Sequence, residues 1–303
     1  MATFRIALPG DYTPRFALRY MSRDPESETE RGDGRSFVKA LMIEGKPAVV
    51  RVDFSEGHAR VSADARRAAV EPAVLRLLGL PFDPAPFEAR HAKLVGPRRG
   101  MRVPRTATVF ESIVWAVCGQ QVNLAFAFKL RRAVIELAGK RVDGMRAHPD
   151  PAAVAKLDYD DLTRRQFSRR KAEYLIDVAR SGIDFEAMGE RGAGSREQGE
   201  PLPAPSSTLP PLPAPSSPLP ALDSLLTIRG FGVWSANYVM MRGCGFADCV
   251  PVGDSGLTSS LQEFYRLDAR PDAEKTLALM KRFAPYRSLA TFHFWMRKSD
   301  AGF

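Results

Sequence analysis

Two apolar segments near the start of the chain predict neighbouring β-strands. Ser36–Ile43 and Pro47–Phe54 are rich in Val, Ile and Phe, and a Glu-Gly-Lys tripeptide separates them. A glycine in so short a connection is typical of a β-hairpin, because hairpin turns need positive φ. His58–Ala63 predicts a third strand, and Val70–Leu78 predicts a helix that ends at a glycine. This order indicates an antiparallel sheet with helices on one face.

From about residue 106 the apolar spacing becomes helical. Phe110–Cys118 and Leu124–Ala138 carry apolar residues at i, i+3, i+4 and i+7, and Lys171–Ala179 continues this pattern. The fold class that follows is α+β, with an N-terminal antiparallel sheet and helices followed by a mostly α-helical domain. We therefore expect an N-terminal α+β domain over residues 1–100 and a helical domain over residues 101–303.

A proline-rich segment at about residues 191–221 interrupts the helical pattern. It contains the sequence Pro-Leu-Pro-Ala-Pro-Ser-Ser twice, at 201–207 and at 211–217. Proline removes a backbone donor, so we expect a disordered, solvated insert with polyproline character. The helical pattern resumes at Ala221, which places the insert inside the second domain. A spacer and a ligand for a proline-reading module both fit such a segment.

Charge and cysteine content restrict the class of protein. The 303 residues include 44 Lys and Arg against 35 Asp and Glu, a formal net charge of +9, which suggests a polyanionic partner. Three cysteines without a CxxC pair argue against a disulfide framework and against a four-cysteine iron–sulfur cluster.

No apolar run approaches the roughly 18 residues of a membrane span, and the N-terminus lacks a signal-peptide pattern. We expect a cytoplasmic protein that does not contact membranes.

The segment Leu226–Ala236 has the most specific pattern in the chain. An apolar helix end is followed by a tight turn with Gly230 and Gly232, and a new helix then begins. Glycines leave backbone N–H groups unobstructed, and donors at a helix N-terminus bind phosphate well. A bare Gly-x-Gly would be read as an ordinary helix–turn–helix corner, but the whole segment is more specific.

This segment resembles the helix-hairpin-helix of the DNA base-excision glycosylases, which usually reads Leu-Pro-Gly-Val-Gly, then Lys or Trp, then Thr-Ala. Those proteins place a catalytic aspartate about twenty residues downstream, and here Asp254 lies 22 residues after Gly232. Phe110–Val122 resembles the segment that opens their catalytic domain. Pro285–Trp295 resembles the closing helix of the AlkA-like branch, DNA-3-methyladenine glycosylase II, and the N-terminal region matches that branch in kind.

The resemblance implies a monofunctional DNA N-glycosylase that flips out alkylated purines, such as 3-methyladenine, and leaves an abasic site. Trp234 occupies the position of the lysine that forms a Schiff base in bifunctional relatives, so no lyase activity is expected. The expected partner is double-stranded DNA with a damaged base, bound by a monomer without a cofactor required for chemistry. The alternatives are a glycosylase for deaminated or oxidised bases, and a non-catalytic helix-hairpin-helix DNA-binding protein.

The resemblance also assigns roles to individual residues. Asp254 is expected to stabilise the oxocarbenium ion of the sugar and to orient the attacking water. Gln121 matches the residue that enters the duplex when the target base is flipped out. Three aromatic residues, Trp234, Tyr238 and Trp295, are expected to form a pocket that attracts a cationic base.

The remaining expected contacts are with the DNA backbone and with a cation. The residues expected to bind DNA at the hairpin are Gly230, Gly232 and Ser235. The backbone positions matching a monovalent-cation site in the family are Leu226, Ile228 and Phe231. Basic clusters at 98–102, 164–165 and 169–171 predict phosphate contacts, with a solvated surface as the alternative for each.

Overall fold

The N-terminal part of the protein contains a five-stranded antiparallel sheet in the order β1-β5-β4-β3-β2. The computed structural model describes residues 2–80, 82–188 and 219–300. The strands are β1 (Ala2–Ala7), β2 (Glu30–Gly32), β3 (Ser36–Ile43), β4 (Lys46–Ser55) and β5 (His58–Ala63). The three strands predicted from sequence are therefore confirmed as β3, β4 and β5.

Two strands of this sheet were not predicted. In β1 only Phe4 and Ile6 are buried, which is too short an alternation to stand out in a sequence. The three-residue β2 contains no apolar side chain and forms because its backbone pairs with β3. Both are outer strands, whose formation depends on a neighbour that is already in place.

Helices fill most of the rest of the described chain. Those before residue 100 are α1 (Pro14–Met21), α2 (Arg67–Leu78), α3 (Ala85–Arg90) and α4 (Ala92–Val95). The next are α5 (Val109–Gly119), α6 (Leu124–Ala138), α7 (Pro151–Val154), α8 (Tyr159–Thr163) and α9 (Arg169–Arg180). The last are α10 (Leu219–Leu226), α11 (Val233–Val239), α12 (Ser255–Tyr265), α13 (Ala273–Met280) and α14 (Arg287–Asp300).

Three shorter elements connect these helices. A two-stranded hairpin, β6 (Arg141–Val142) and β7 (Met145–Arg146), follows α6 in a region predicted to be helical. A π-helical turn, Met240–Cys244, extends α11, and a 3-10 turn, Lys281–Phe283, follows α13. Helix α10 begins at Leu219, so the last three positions of the predicted insert belong to that helix. The rest of that prediction, 191–218, lies outside the described residues.

Separate apolar cores lie under the sheet and around α5. One face of the sheet buries Val50, Val52 and Val61 against Val70 and Val74 of α2. Helix α5 is buried along its whole length, which explains why its sequence is apolar on nearly every side. It packs against α6, α9 and α11 and so forms the centre of the helical region.

A third core joins helices from both ends of the chain. Phe87 of α3 and Leu94 of α4 pack with Leu257 of α12 and Phe294 of α14. Two helices that precede residue 100 therefore share a core with the C-terminal helices. The domain boundary at residue 100 remains a prediction.

A buried ionic cluster connects the sheet to the helical region. The Lys39 ammonium contacts the carboxylates of Glu30 and Glu111, the latter at 2.7 Å. Arg131, which is fully buried, contacts the same two carboxylates at 2.9 and 3.0 Å. Burial opposes ionisation of Glu111, but Lys39 and Arg131 hold the pKa of its carboxyl well below the usual range. The cluster therefore links β2 and β3 to α5 and α6 through four charged groups.

Replacing Arg131 with methionine should destabilise the protein by about 3–5 kcal/mol, because two buried carboxylates lose a shared cation. Urea denaturation measures this change. Arg165→Met is the matched control, since the side chains of Arg165 and of its partner Glu136 are 44% and 45% exposed. We expect a loss of about 1 kcal/mol or less there. Equal losses in the two variants would contradict a special role for the buried cluster.

Candidate active site

The predicted hairpin forms between α10 and α11, and only one of its two glycines has a conformation that requires glycine. Gly230 has φ +85°, and a Cβ atom there would lie 2.3 Å from the ring of Tyr174. Gly232 is extended, with φ −105°, and caps the N-terminus of α11. A Cβ at Gly232 would meet no atom within 4 Å. Of these two glycines, only Gly230 has a positive φ.

Arg229, which replaces the proline common in related hairpins, is held on the surface of α9. Its guanidinium lies 3.0 Å from the Glu173 carboxylate and 3.6 Å from that of Asp177. It also lies 5.8 Å from the centroid of the Tyr174 ring. The substitution thus adds ion pairs between the hairpin and α9 and is compatible with the turn.

The turn after α5 carries two glutamines with different environments. Gln121 is exposed and has φ +53°, an uncommon conformation for a residue with a side chain. The Gln120 amide donates to the Gly230 carbonyl at 2.9 Å and to the Ser235 hydroxyl at 3.1 Å. Gln120 therefore attaches to the hairpin the same turn that exposes Gln121.

Ser235 faces the protein interior. Its side chain is 3% exposed and its hydroxyl accepts the hydrogen bond from Gln120. The first intrahelical bond of α11 runs from the Ala236 N–H to the Gly232 carbonyl, at 3.0 Å. The N–H groups of Val233, Trp234 and Ser235 precede it and have no partner within the helix. A contact between Ser235 and DNA would therefore use its backbone N–H.

Asp254 lies at the start of α12, where three N–H donors meet its carboxylate. As the N-cap residue, it accepts a hydrogen bond from the Leu257 N–H at Oδ1, at 2.7 Å. The indole of Trp295 donates to the same oxygen at 2.9 Å, and the indole of Trp234 donates to Oδ2 at 3.1 Å. Two tryptophans distant in sequence therefore orient this one carboxylate.

The three predicted pocket aromatics are in mutual contact beside Asp254. The rings of Trp234 and Tyr238 stack, with centroids 5.5 Å apart and planes at 24°. The Tyr238 and Trp295 rings lie 6.3 Å apart. Both tryptophans are partly exposed, whereas Tyr238 is 8% exposed. The structure thus brings the predicted aromatic residues and the predicted catalytic carboxylate together.

The buried end of Tyr238 contacts residues that sequence reasoning missed. Burial, together with Tyr20, raises the pKa of Tyr238 above its usual value, although Arg242 acts in the opposite direction. The guanidiniums of Arg23 and Arg242 lie 3.5 and 4.3 Å from the centroid of the Tyr20 ring. Tyr20 belongs to α1, so the N-terminal part of the chain supports the aromatic site from behind. No spacing in the sequence points to this contact.

The loop that leads to Asp254 is tied to the start of α14. Arg287 Nε and Nη2 each lie 2.6 Å from a carboxylate oxygen of Asp248. The Ser288 hydroxyl donates to the Phe246 carbonyl at 2.7 Å and accepts from the Cys249 N–H at 3.0 Å. These bonds hold the loop in the position from which α12 begins.

Part of the predicted phosphate-binding surface is buried. Arg98 is 6% exposed and donates to the Leu94 carbonyl at 2.8 Å. Arg102 is 5% exposed and pairs with Asp11 at 2.9 Å. The prediction of DNA contacts is therefore wrong for these two arginines, because their guanidiniums satisfy carbonyl and carboxylate groups inside the protein.

The expected cation ligands lie in the turn between α10 and α11. The Ile228 carbonyl accepts a hydrogen bond from the Phe231 N–H at 3.0 Å. A carbonyl oxygen has a second lone pair, so this bond is compatible with cation binding.

All three cysteines are buried free thiols. Among the described residues, no group of three or more His, Cys, Asp or Glu side chains has the arrangement of a metal site.

Within residues 2–80, 82–188 and 219–300, no helix combines the length and the apolar character that crossing a bilayer requires.

The chain is similar to known DNA repair proteins. The family model for the HhH-GPD superfamily base excision DNA repair protein matches residues 114–285. The chain is 31% identical over 200 residues to DNA-3-methyladenine glycosylase of Bacillus subtilis (strain 168), covering 65% of this chain and 59% of that protein. It is 28% identical over 223 residues to DNA-3-methyladenine glycosylase 2 of Escherichia coli (strain K12), covering 73% and 68%. The chain thus spans less than two-thirds of the B. subtilis relative.

A solved structure has the same fold along nearly the whole chain. The 3-methyladenine DNA-glycosylase from Archaeoglobus fulgidus superimposes with a TM-score of 0.81 at 20% identity, covering 98% of each chain. The hairpin and the helices around it define a helix-hairpin-helix protein. The chain belongs to the HhH-GPD superfamily of base excision DNA repair proteins.

Replacing Gly230 with alanine should destabilise the protein by about 1–3 kcal/mol, since the residue has φ +85° and a Cβ would overlap the Tyr174 ring. Thermal or urea denaturation measures this loss. Gly232→Ala is the control, with an expected loss below about 1 kcal/mol from a weaker N-cap. An unchanged stability in the Gly230 variant would contradict the close packing of hairpin and α9.

Proposed function

We propose that this protein is a monofunctional DNA N-glycosylase that excises alkylated purines from duplex DNA and leaves an abasic site. The observation that carries this proposal is the Asp254 carboxylate, held by two indole N–H groups at 2.9 and 3.1 Å beside stacked aromatic rings. One of those indoles, that of Trp234, lies in the first turn of α11, directly after the hairpin. The relatives named as DNA-3-methyladenine glycosylases support the same substrate class.

The chemistry requires a negative charge near the sugar. A purine alkylated at N3 or N7 is cationic and departs as a neutral base, so positive charge develops on the sugar in the transition state. A fixed carboxylate stabilises that charge without reorganisation. Because three N–H donors contact Asp254, its main role is electrostatic, and its remaining acceptor capacity orients the attacking water.

The aromatic residues select the base. A methylated purine cation is attracted to the faces of electron-rich rings, with about 0.5–2 kcal/mol for each contact. Trp234 and Trp295 present rings beside Asp254 while their N–H groups hold its carboxylate. The same two side chains therefore recognise the base and position the charge that assists its departure.

Flipping the base requires a side chain that occupies the gap. Gln121 suits this role because it is exposed, is held in a left-handed conformation and extends from a turn fastened to the hairpin by Gln120. Unstacking a base costs a few kcal/mol, which an inserted amide offsets by hydrogen bonding to the orphaned partner base.

The start of α11 binds the DNA backbone near the lesion. Backbone N–H groups at a helix N-terminus, including those of Gly232 and Ser235, donate to phosphate oxygens together with the N–H of Gly230. A monovalent cation held by the carbonyls of Leu226, Ile228 and Phe231 would add positive charge beside that phosphate. The excision itself needs no cofactor in this proposal, and one protein molecule acts on one lesion.

Asp254→Asn should reduce release of 3-methyladenine from methylated duplex DNA by about 10²–10³-fold, because a neutral amide stabilises the oxocarbenium ion less. Binding to a duplex with an abasic-site analogue should persist. Asp272→Asn is the matched control, since Asp272 caps α13 by accepting from the Lys275 N–H at 2.8 Å. Full activity of the Asp254 variant, or an equal loss in both variants, would contradict the proposed role.

Borohydride should trap no covalent adduct between the protein and DNA during excision, because Trp234 offers no amine to the sugar. The DNA strand should remain intact until alkali cleaves the abasic site. An 8-oxoguanine glycosylase/lyase treated in parallel provides the positive control. A trapped adduct with this protein would show that another amine attacks the sugar.

A further inference from the structure

Two arginines stand directly opposite each other on neighbouring strands of the sheet. Arg5 of β1 pairs in register with Arg60 of β5, and both side chains are exposed. Among the described residues, neither guanidinium has a carboxylate oxygen within 4.0 Å. Like charges in directly opposed positions destabilise a sheet. Arg60 also stands opposite Asp53 of β4, which offsets part of this repulsion. The repulsion that remains has a cost in the free protein that an anionic partner would relieve.

The register places two more arginines on the same face. Ser62, two residues after Arg60, pairs with Arg51 of β4. Across the next two strands, Arg51 pairs with Val38 of β3, and Val38 pairs with Arg31 of β2. Directly opposed residues, and residues two apart in a strand, share a face of a sheet. The apolar side chains of the core occupy the other face, so these arginines lie on its outer face.

A second like-charge pair lies beside this row. Arg141 and Arg146 face each other in the β6–β7 hairpin, which packs on the outer face through Met145 and Ala147 against Ala40. A cavity of about 330 Å³ separates this hairpin from β2. Its charged lining residues are Glu28, Arg31, Arg141, Asp143 and Arg146. We call the six arginines together the arginine face: Arg5, Arg31, Arg51, Arg60, Arg141 and Arg146.

The carboxylates near the arginine face neutralise it only in part. Asp53 lies 3.9 Å from Arg51, and Glu28 contacts Arg146 at 2.7 Å. Asp143 in the β6–β7 turn is the third acid of this region. The six guanidiniums thus outnumber the three carboxylates, and Arg5 and Arg60 lie at one end of the face.

We propose that the arginine face binds the sugar–phosphate backbone of a second DNA segment, distinct from the segment held at the hairpin. The choice of DNA as the partner rests on the proposed function. Guanidinium groups bind phosphate oxygens in bidentate geometry. The row from β1 to β2 crosses four strand spacings, about 19 Å, and so matches several consecutive phosphates rather than one small anion.

The position of the arginine face separates it from the candidate active site. The inner face of the same sheet contacts α5 and α6 through the buried cluster of Glu30, Lys39, Glu111 and Arg131. The sheet therefore lies between the arginine face and the helical region that contains the turn between α10 and α11. A DNA segment on the arginine face would help the enzyme remain on DNA while that turn and the active site search for a lesion.

The charge repulsion can be tested without DNA. Arg5→Gln should raise the Tm by about 1–3 °C in low salt, because it removes the repulsion from Arg60. The gain should shrink in high salt, where surface charges are screened. Arg90→Gln is the control, since Arg90 is exposed on α3 away from the sheet. A lower Tm for Arg5→Gln would contradict the repulsion on which the proposal depends.

DNA binding is tested with the full chain after its hairpin site has been filled. The protein is saturated with a duplex containing an abasic-site analogue, and a short fluorescent undamaged duplex is then added. The wild type should bind this second duplex. The double variant Arg5→Gln/Arg60→Gln should bind it at least 10-fold more weakly in 50 mM salt, with a salt slope shallower by about 2. The control Arg90→Gln/Arg270→Gln, with the same change in charge, should bind like the wild type.

The remaining outcomes separate this proposal from the glycosylase proposal. Base release by the Arg5/Arg60 variant should equal that of the wild type, because neither residue belongs to the active site. The proposal would be overturned if the wild type bound no second duplex, or if the control variant bound it as weakly as the Arg5/Arg60 variant. It would also be overturned if polyglutamate displaced the second duplex as effectively as unlabelled DNA does. If the wild type releases no base yet binds undamaged duplex through Arg5 and Arg60, the glycosylase proposal fails and the arginine face stands.

Discussion

The candidate active site depends on the convergence of three N–H donors on the Asp254 carboxylate. One donor is the backbone of the helix that Asp254 caps, and the others are the indoles of Trp234 and Trp295. The hairpin, α12 and α14 must therefore occupy fixed relative positions for the carboxylate to keep its orientation. The ion pair between Arg287 and Asp248 and the packing of Gly230 on Tyr174 maintain those positions.

The N-terminal part of the chain contributes to the site through charge as well as apolar packing. The buried cluster of Lys39, Glu30, Glu111 and Arg131 joins the sheet to α5 and α6. The side chain of Tyr20, which contacts two guanidiniums, reaches the back of the aromatic group from α1. Burying charged groups is costly unless they are paired, so these contacts strongly restrict how the sheet docks on the helices.

Local patterns in the sequence predicted much of the fold. The strands β3, β4 and β5 and the helices α5 and α6 were found because their apolar residues recur at strand or helix spacing. Strands β1 and β2 and the β6–β7 hairpin were missed, since short segments form mainly through pairing with neighbours. The candidate site was located because the segment around Gly230, and its spacing to Asp254, resemble the motif of the base-excision glycosylases.

The sequence alone determined the elements that follow from short-range rules, such as the turn at Gly230 and the helices α5 and α6. Only the tertiary structure decided that both indole N–H groups point at Asp254, that the Ser235 hydroxyl is bound by Gln120, and that Arg98 and Arg102 are buried. These features involve residues up to 115 positions apart, whose contacts depend on how helices and sheet pack. The physical reason is that periodicity and capping act within a few residues, whereas the orientation of a side chain depends on every element around it.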